Sequence, residues 1–250
     1  MDLHKPKPWH GVREFLKEYL IIVVGVLTAL GAEQVVENVH WARRVAETHA
    51  QLNAELSADA ESGLTWLSRA PCRDAELAAL REGLAEARRT GVFRPPVQRY
   101  APSLVVFRTD AWLNARSLQV SDHISPREVA DYSGVYFFAD ELRGNITTLH
   151  SLAGELEPLG RDLDHVTPSE ADDFAVRIGR MQELQTRTAL AITLLIAGSD
   201  KLGAAIRPPA ASGAACAREP AAMLAILRHR GQQTERELFI RLGLSFFGGE

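Results

Sequence analysis

From Tyr19 to Ala32 the chain reads YLIIVVGVLTALGA, apolar all round a helix and uncharged between the Lys17-Glu18 pair and Glu33. Past that stretch the pattern becomes a stripe. Val45, His49, Leu52, Leu56, Ala60, Gly63 and Leu67 recur at alternating spacings of three and four, which places them on one helix face, as in a coiled coil. The spacing predicts a helix that begins at Gly11 and meets no stop before Pro71. Its later part is expected to form a stalk rising roughly 50 Å at 1.5 Å per residue.

The uncharged run holds about 14 residues, whereas a helix crossing a bilayer needs about 20. Phe15 and Leu16 before it, and Val35, Val36 and Val39 after it, extend the apolar face at helical spacing. Only Lys17, Glu18 and Glu33 must then reach the interfaces, Lys17 by snorkelling along its stem. Trp9, Tyr19 and Trp41 are residues of the kind that settle at headgroup level. The expected layout is a tail over 1–10, a transmembrane helix and its exit over 11–40, and a helical domain over 41–250. Lys5-Pro6-Lys7-Pro8 keeps the tail out of helix.

Lys5, Lys7, Arg13 and Lys17 precede the run, and the first basic residues after it are Arg43 and Arg44. The positive-inside rule puts the N-terminus in the cytoplasm and the domain in a bacterial periplasm. A cleaved signal peptide competes: the basic start, the apolar core and the small residues Ala29, Gly31 and Ala32 form a passable cleavage site. Against cleavage, the helical periodicity runs on past that site, and the basic region is long.

Downstream the pattern stays helical. Asp74 to Arg89 turns Leu77, Leu80, Leu84 and Ala87 inward and is closed by Gly91. FRPPVQRYAP, from Phe93 to Pro102, is a proline-rich loop. Leu104 to Phe107 is apolar and β-branched, but with no partner strand in sight it is taken as a helix start. Asp110 to Val120 is expected to be a helix that buries Trp112 and Leu113. Ser125-Pro126-Arg127-Glu128 and Thr167-Pro168-Ser169-Glu170 are both capping boxes with proline in the first turn. They open the two long helices expected at the centre of an antiparallel bundle. One runs to Pro158 to Gly160, the other to Pro208-Pro209. Within the second, uncharged Thr188 to Ser199 is bounded by Arg187 and Asp200-Lys201 and suits a buried core helix better than a second span. A last helix is expected from Pro220 to Leu242, followed by a tail in which Phe246 and Phe247 are free to dock.

Composition narrows the classes. With 250 residues, 46% of them hydrophobic, the exported part can build one core. A net charge of −4 and a pI near 6.1 leave no basic surface for nucleic acid. Cys72 and Cys216 lie far apart beside proline, alanine and glycine, which in an oxidising compartment suggests one disulfide between two loops. Two unrelated small residues are the plainer alternative. Such a bridge would be worth about 4 to 5 kcal/mol in the chain-entropy model.

The chain has no CxxCH, CxxC, HExxH or GxSxG motif and no glycine-rich phosphate loop, so neither a cofactor nor a catalytic residue is expected. Glu37-x-x-His40 and Asp162-x-x-His165 have the i, i+3 spacing of helical di-metal sites. Those sites need two such motifs and two further carboxylates facing one core, so solvated polar residues are expected instead. His49 and His150, near apolar stripes, suit satisfied core or interface histidines. The sequon Asn145-Ile146-Thr147 falls inside a helix face. Gly25-x-x-x-Ala29 and Thr28-x-x-x-Ala32 form a small-residue stripe that permits close helix packing in lipid. Equally, glycine and alanine are common in any membrane helix.

Residues 13–47, REFLKEYLIIVVGVLTALGAEQVVENVHWARRVAE, followed by AELSAD, resemble the N-terminus of a group of bacterial single-pass membrane proteins to which no activity is attached. AWLNARSLQ and DYSGVYFFADEL are similar to aromatic-rich helices of that group. The resemblance implies an anchor and a helical fold; Glu33 to His40 departs from it by being more polar than a membrane exit. Together these features suggest a membrane-anchored, non-catalytic accessory or scaffold protein. It would associate with the bilayer and, through its membrane helix, with itself or another protein. The alternatives are a periplasmic ligand-sensing domain, a helical enzyme with a diffuse site and, if the first helix is removed, a soluble exported protein.

Overall fold

The computed structural model describes residues 11–94, 100, 103–161 and 165–228, which are mostly helical, with no strand among them. The chain divides into two compact units, Met1–Glu47 and Thr48–Glu250. Helix α1 (Val12–Ser68) contributes to both.

In the first unit α1 is bare. Phe15, Tyr19, Ile22, Leu27 and Val36 are all exposed, and an 18-residue window has a mean hydropathy of 2.0 with none of it buried. Helix is favoured there because nothing in the run breaks it, and Thr28 satisfies its own hydroxyl by donating to the Val24 carbonyl at 2.7 Å. Arg44 lies 5.5 Å over the Trp41 ring. Lys5, Lys7 and Trp9 fall outside the described residues, as does the rest of the expected tail.

The second unit is the bundle, and the stripe on α1 is where its core begins. Leu52, Leu56, Ala60 and Leu64 are fully buried beside Leu77, Leu142, Ile178, Met181, Ile192 and Leu195. α1 ends at Ser68, and α2 (Ala70–Thr90) starts ahead of the expected Asp74. The reason is Pro71. It ends no helix here but sits in the first turn of α2, where its missing N–H costs nothing. Gly91, at φ 74°, closes α2 by donating to the Ala87 carbonyl.

The expected helix start at Leu104 is absent. Residues 103–109 are irregular and α3 (Asp110–Ser117) begins after them. Alternation explains it: Val105, Phe107 and Thr109 are buried while Leu104, Val106 and Arg108 face out, a period of two that no helix can satisfy. Trp112 is buried as expected, but Leu113 is exposed. α3 also stops short of Val120, because Gln119 takes a left-handed φ of 58° and a 3-10 turn follows over Val120–His123.

Both capping boxes are present. Ser125 and Glu128 open α4 (Pro126–Leu156), and Thr167 and Glu170 open α6 (Pro168–Lys201), each pair exchanging backbone N–H bonds. The short α5 (Pro158–Arg161) lies between them. α4 and α6 are antiparallel: Asp131 meets Lys201 at 3.3 Å, while Glu155 meets Arg177 at 3.7 Å. Two glycines set how closely the helices pack. A Cβ on Gly198 would stand 2.4 Å from Val135 Cγ2, and one on Gly63 would stand 2.6 Å from Ile192 Cγ2. Within α6, Ala191, Ile192, Leu195, Ile196 and Ser199 are buried, so its uncharged middle is core.

α6 ends before Pro208-Pro209. Gly203, at φ 80°, donates to the Asp200 carbonyl and Ala204 donates to that of Ser199, the two bonds of a Schellman turn. Glycine's access to positive φ stops the helix before the prolines are reached. The chain then runs back over α1: the Ser57 hydroxyl donates to the Ala205 carbonyl at 2.6 Å, and Arg218 N–H donates to the Ser68 carbonyl at 2.9 Å. Cys216 is bonded to Cys72 across a separation of 144 residues, with Cα atoms 5.2 Å apart. Residues 220–228 are helical; the remainder of the expected last helix, with Phe246 and Phe247, lies outside the described residues.

Candidate functional site

The most polar part of the core is a carboxylate pair one turn apart on α1. Glu55 and Asp59 face the chain entering α3, and each takes a backbone N–H in both carboxylate oxygens. Arg108 N–H donates to Asp59 at 3.1 and 3.1 Å, and Ala111 N–H donates to Glu55 at 3.1 and 3.2 Å. Ala111 stands in the first turn of α3, whose N–H groups have no partner inside their own helix. The natural cap, Thr109, makes no capping bond; its hydroxyl instead accepts from the Arg143 guanidinium at 3.1 Å. Glu55 therefore caps α3 from another helix and sets its negative charge at the positive end of the helix dipole.

Asp59 is 0% exposed. Burial pushes its carboxyl up to about 7, against the pull of the Arg108 N–H, and neighbouring Glu55 adds to the rise. Aromatic rings stack beside the pair, with Tyr136 near both acids. Trp112 lies between Tyr132 and Tyr136, ring centres 6.2 and 5.8 Å away, and His49 lies 5.9 Å from Tyr132. The Tyr132 hydroxyl donates to Asn53 at 3.2 Å, and that of Tyr136 donates to the Leu52 carbonyl at 3.4 Å. Burial, and then the Glu55 charge, hold the Tyr136 phenol well above its usual range. These groups hold the α3 entry against α1; their bonding is to backbone and to one another.

A second buried polar group adjoins the disulfide. Arg73 is 3% exposed, its guanidinium 3.7 Å above the Trp66 ring, and it donates to the Trp66 carbonyl at 2.7 Å. Burial lowers its pKa to about 10, and the nearby Tyr100 opposes the fall. Tyr100 accepts from the Gln185 amide at 2.9 Å. Beside α2, a cleft of about 410 Å³ is lined by Glu82, Glu86 and Arg94 among others, and Glu86 is paired with Arg89.

The remaining residues singled out from the sequence are scattered. Gly25, Thr28, Ala29 and Ala32 are exposed on α1 of the first unit, and a Cβ on Gly25 would meet nothing within 4 Å. Glu37 is exposed on the same helix, near His40. His165 Nδ1 lies 3.2 Å from the Gly91 carbonyl, and its neighbour in the motif, Asp162, falls outside the described residues. His150 is half-buried on α4, and Asn145 sits mid-helix. Among the described residues no three His, Cys, Asp or Glu side chains come together to hold a metal. Glu55 and Asp59 carried no motif; the only sign of them was a pair of acids at helical spacing beside an apolar stripe. No family model, curated protein or solved structure matches the chain, so the resemblance of residues 13–47 transfers no function to it.

Proposed function

We propose that the protein is a single-pass inner-membrane accessory subunit, its helix over 11–40 in the bilayer and its helical bundle in the periplasm, where it binds other membrane or periplasmic proteins. The observation that carries this proposal is the bare apolar stretch of α1, where Ile22, Val24, Val26, Leu27 and Leu30 are all more than half exposed. A surface of that size is stable only against lipid or protein. Arg13 and Lys17 on one flank, with no basic residue before Arg43 on the other, favour an N-terminus inside. A disulfide spanning 144 residues suits an oxidising compartment. Buried Asp59, half-buried Glu55 and buried Arg73 all bond to backbone. Gly25, Thr28, Ala29 and Ala32 offer the anchor a face for self-association or docking.

Native mass spectrometry of the protein extracted from its own membranes in mild detergent tests this. The expected subunit has the full 27.5 kDa mass and travels with other membrane proteins. A lone subunit lighter by about 3 kDa would mean that the first helix is a cleaved signal and would end the anchored proposal.

A further inference from the structure

The segment 103–109 is irregular, but its burial alternates with the period of a strand. Val105 and Phe107 are buried on the bundle, while Leu104 and Val106 are 89% and 68% exposed. Among the described residues, the N–H and C=O groups of 104–107 bond to nothing. On a surface such groups bond to water, or to a backbone that pairs with them. The position of this one is nonetheless held. Asp59 takes the Arg108 N–H, Glu55 takes the Ala111 N–H, and Arg143 holds the Thr109 hydroxyl. The clamp secures one end of a segment whose backbone groups over 104–107 have no protein partner among the described residues.

We infer that residues 104–107 form a docking edge that takes an extended segment of a partner protein as an added strand. This deepens the accessory-subunit proposal and rests on it for the existence of a partner. The chemistry selects the occupant. Unmet N–H and C=O groups at the strand repeat are matched by another extended backbone and not by a helix, whose own groups are already paired. Leu104 and Val106 on the outer face call for apolar side chains at alternate positions of the partner. Arg108 follows on that face and is exposed, so a carboxylate opposite it completes the match. A second copy fits less well. Antiparallel pairing of two copies about Val106 would set each Arg108 opposite a Leu104, leaving both guanidiniums without an acid.

The test is hydrogen exchange on the full-length protein in detergent, with a synthetic peptide of alternating valine and threonine ending in glutamate. Exchange at residues 104–107 is expected to slow by roughly tenfold or more when the peptide is added. The same peptide N-methylated at its pairing positions is expected to give no protection. Equal protection by both peptides, or by neither, overturns the inference. A second measurement follows partners co-extracted from membranes with Val106→Pro, after its melting temperature is shown to match wild type. Loss of a partner supports the docking edge. An undiminished partner overturns it while leaving the accessory proposal intact. No partner with wild type ends that proposal, and the peptide experiment still decides the edge. Photo-crosslinks from Leu104 that join two copies of this chain would replace the partner with a self-assembly edge.

Discussion

Leu27 and Leu56 stand on the same helix, yet Leu27 is 63% exposed and Leu56 is 0% exposed. The difference lies in what surrounds each in the sequence. Around Leu27 every face is apolar, so no single neighbour could cover it, and the helix is long and apolar enough to cross a membrane. Around Leu56 the apolar positions form one stripe with acids and amides on the other faces, which a bundle covers from one side. Hydrophobicity alone therefore does not tell a covered helix from a bare one. Angular distribution does.

Four experiments would break or sharpen that contrast. The largest effect is expected from removing the disulfide. The double variant Cys72→Ala, Cys216→Ala should cost the bundle about 5 kcal/mol on the loop-entropy account, read as a fall in the denaturation midpoint; an unchanged midpoint would show that the bridge does not constrain the unfolded chain. Next comes a charge in the bare helix. Val26→Arg should impair membrane retention, at about 2.5 to 3.5 kcal/mol for insertion, and leave the melting of the bundle where it was. If melting falls instead, the first helix belongs to a protein core.

The third experiment compares glycines between the two regions. Gly198→Ala and Gly63→Ala place a methyl into Val135 and Ile192, and overpacking of this kind should cost about 1 to 3 kcal/mol. Gly25→Ala meets nothing and should leave thermal stability unchanged or slightly raised.

The smallest effect is in pH. Asp59 has its folded-state value raised from 3.8 to about 7, so the native bundle binds a proton that the unfolded chain has already released. Its contribution to stability is complete below pH 4 and is lost as pH rises through 7. Between pH 6 and 7 the slope is at most about 1.4 kcal/mol per unit. Asp59→Asn should flatten the fall in melting temperature over that range; an unaltered slope would place the titration elsewhere.

Much of the bundle was legible from local signals. The capping boxes at Ser125 and Thr167 are made by residues three apart, so they announce themselves whatever the rest of the chain does. The stripe from Leu52 to Leu67 and the buried run Thr188 to Ser199 were equally plain, because periodicity and flanking charge are written in one stretch. Where Gly203 ended α6, the glycine was visible but the prolines beyond it drew the boundary too late.

What the sequence determined by itself was the four long helices α1, α2, α4 and α6, the apolar stretch that no stripe organises, and the pair of cysteines. What the tertiary structure decided were the meetings: Glu55 with the α3 N-terminus, Asp59 with Arg108, Gly198 against Val135, and 103–109 held extended instead of helical. The physical reason is range. A cap or a stripe is settled between residues a turn or two apart, whereas a carboxylate that caps a helix more than 50 residues away has no local signature. It can be seen only when folding brings the unmet N–H to it.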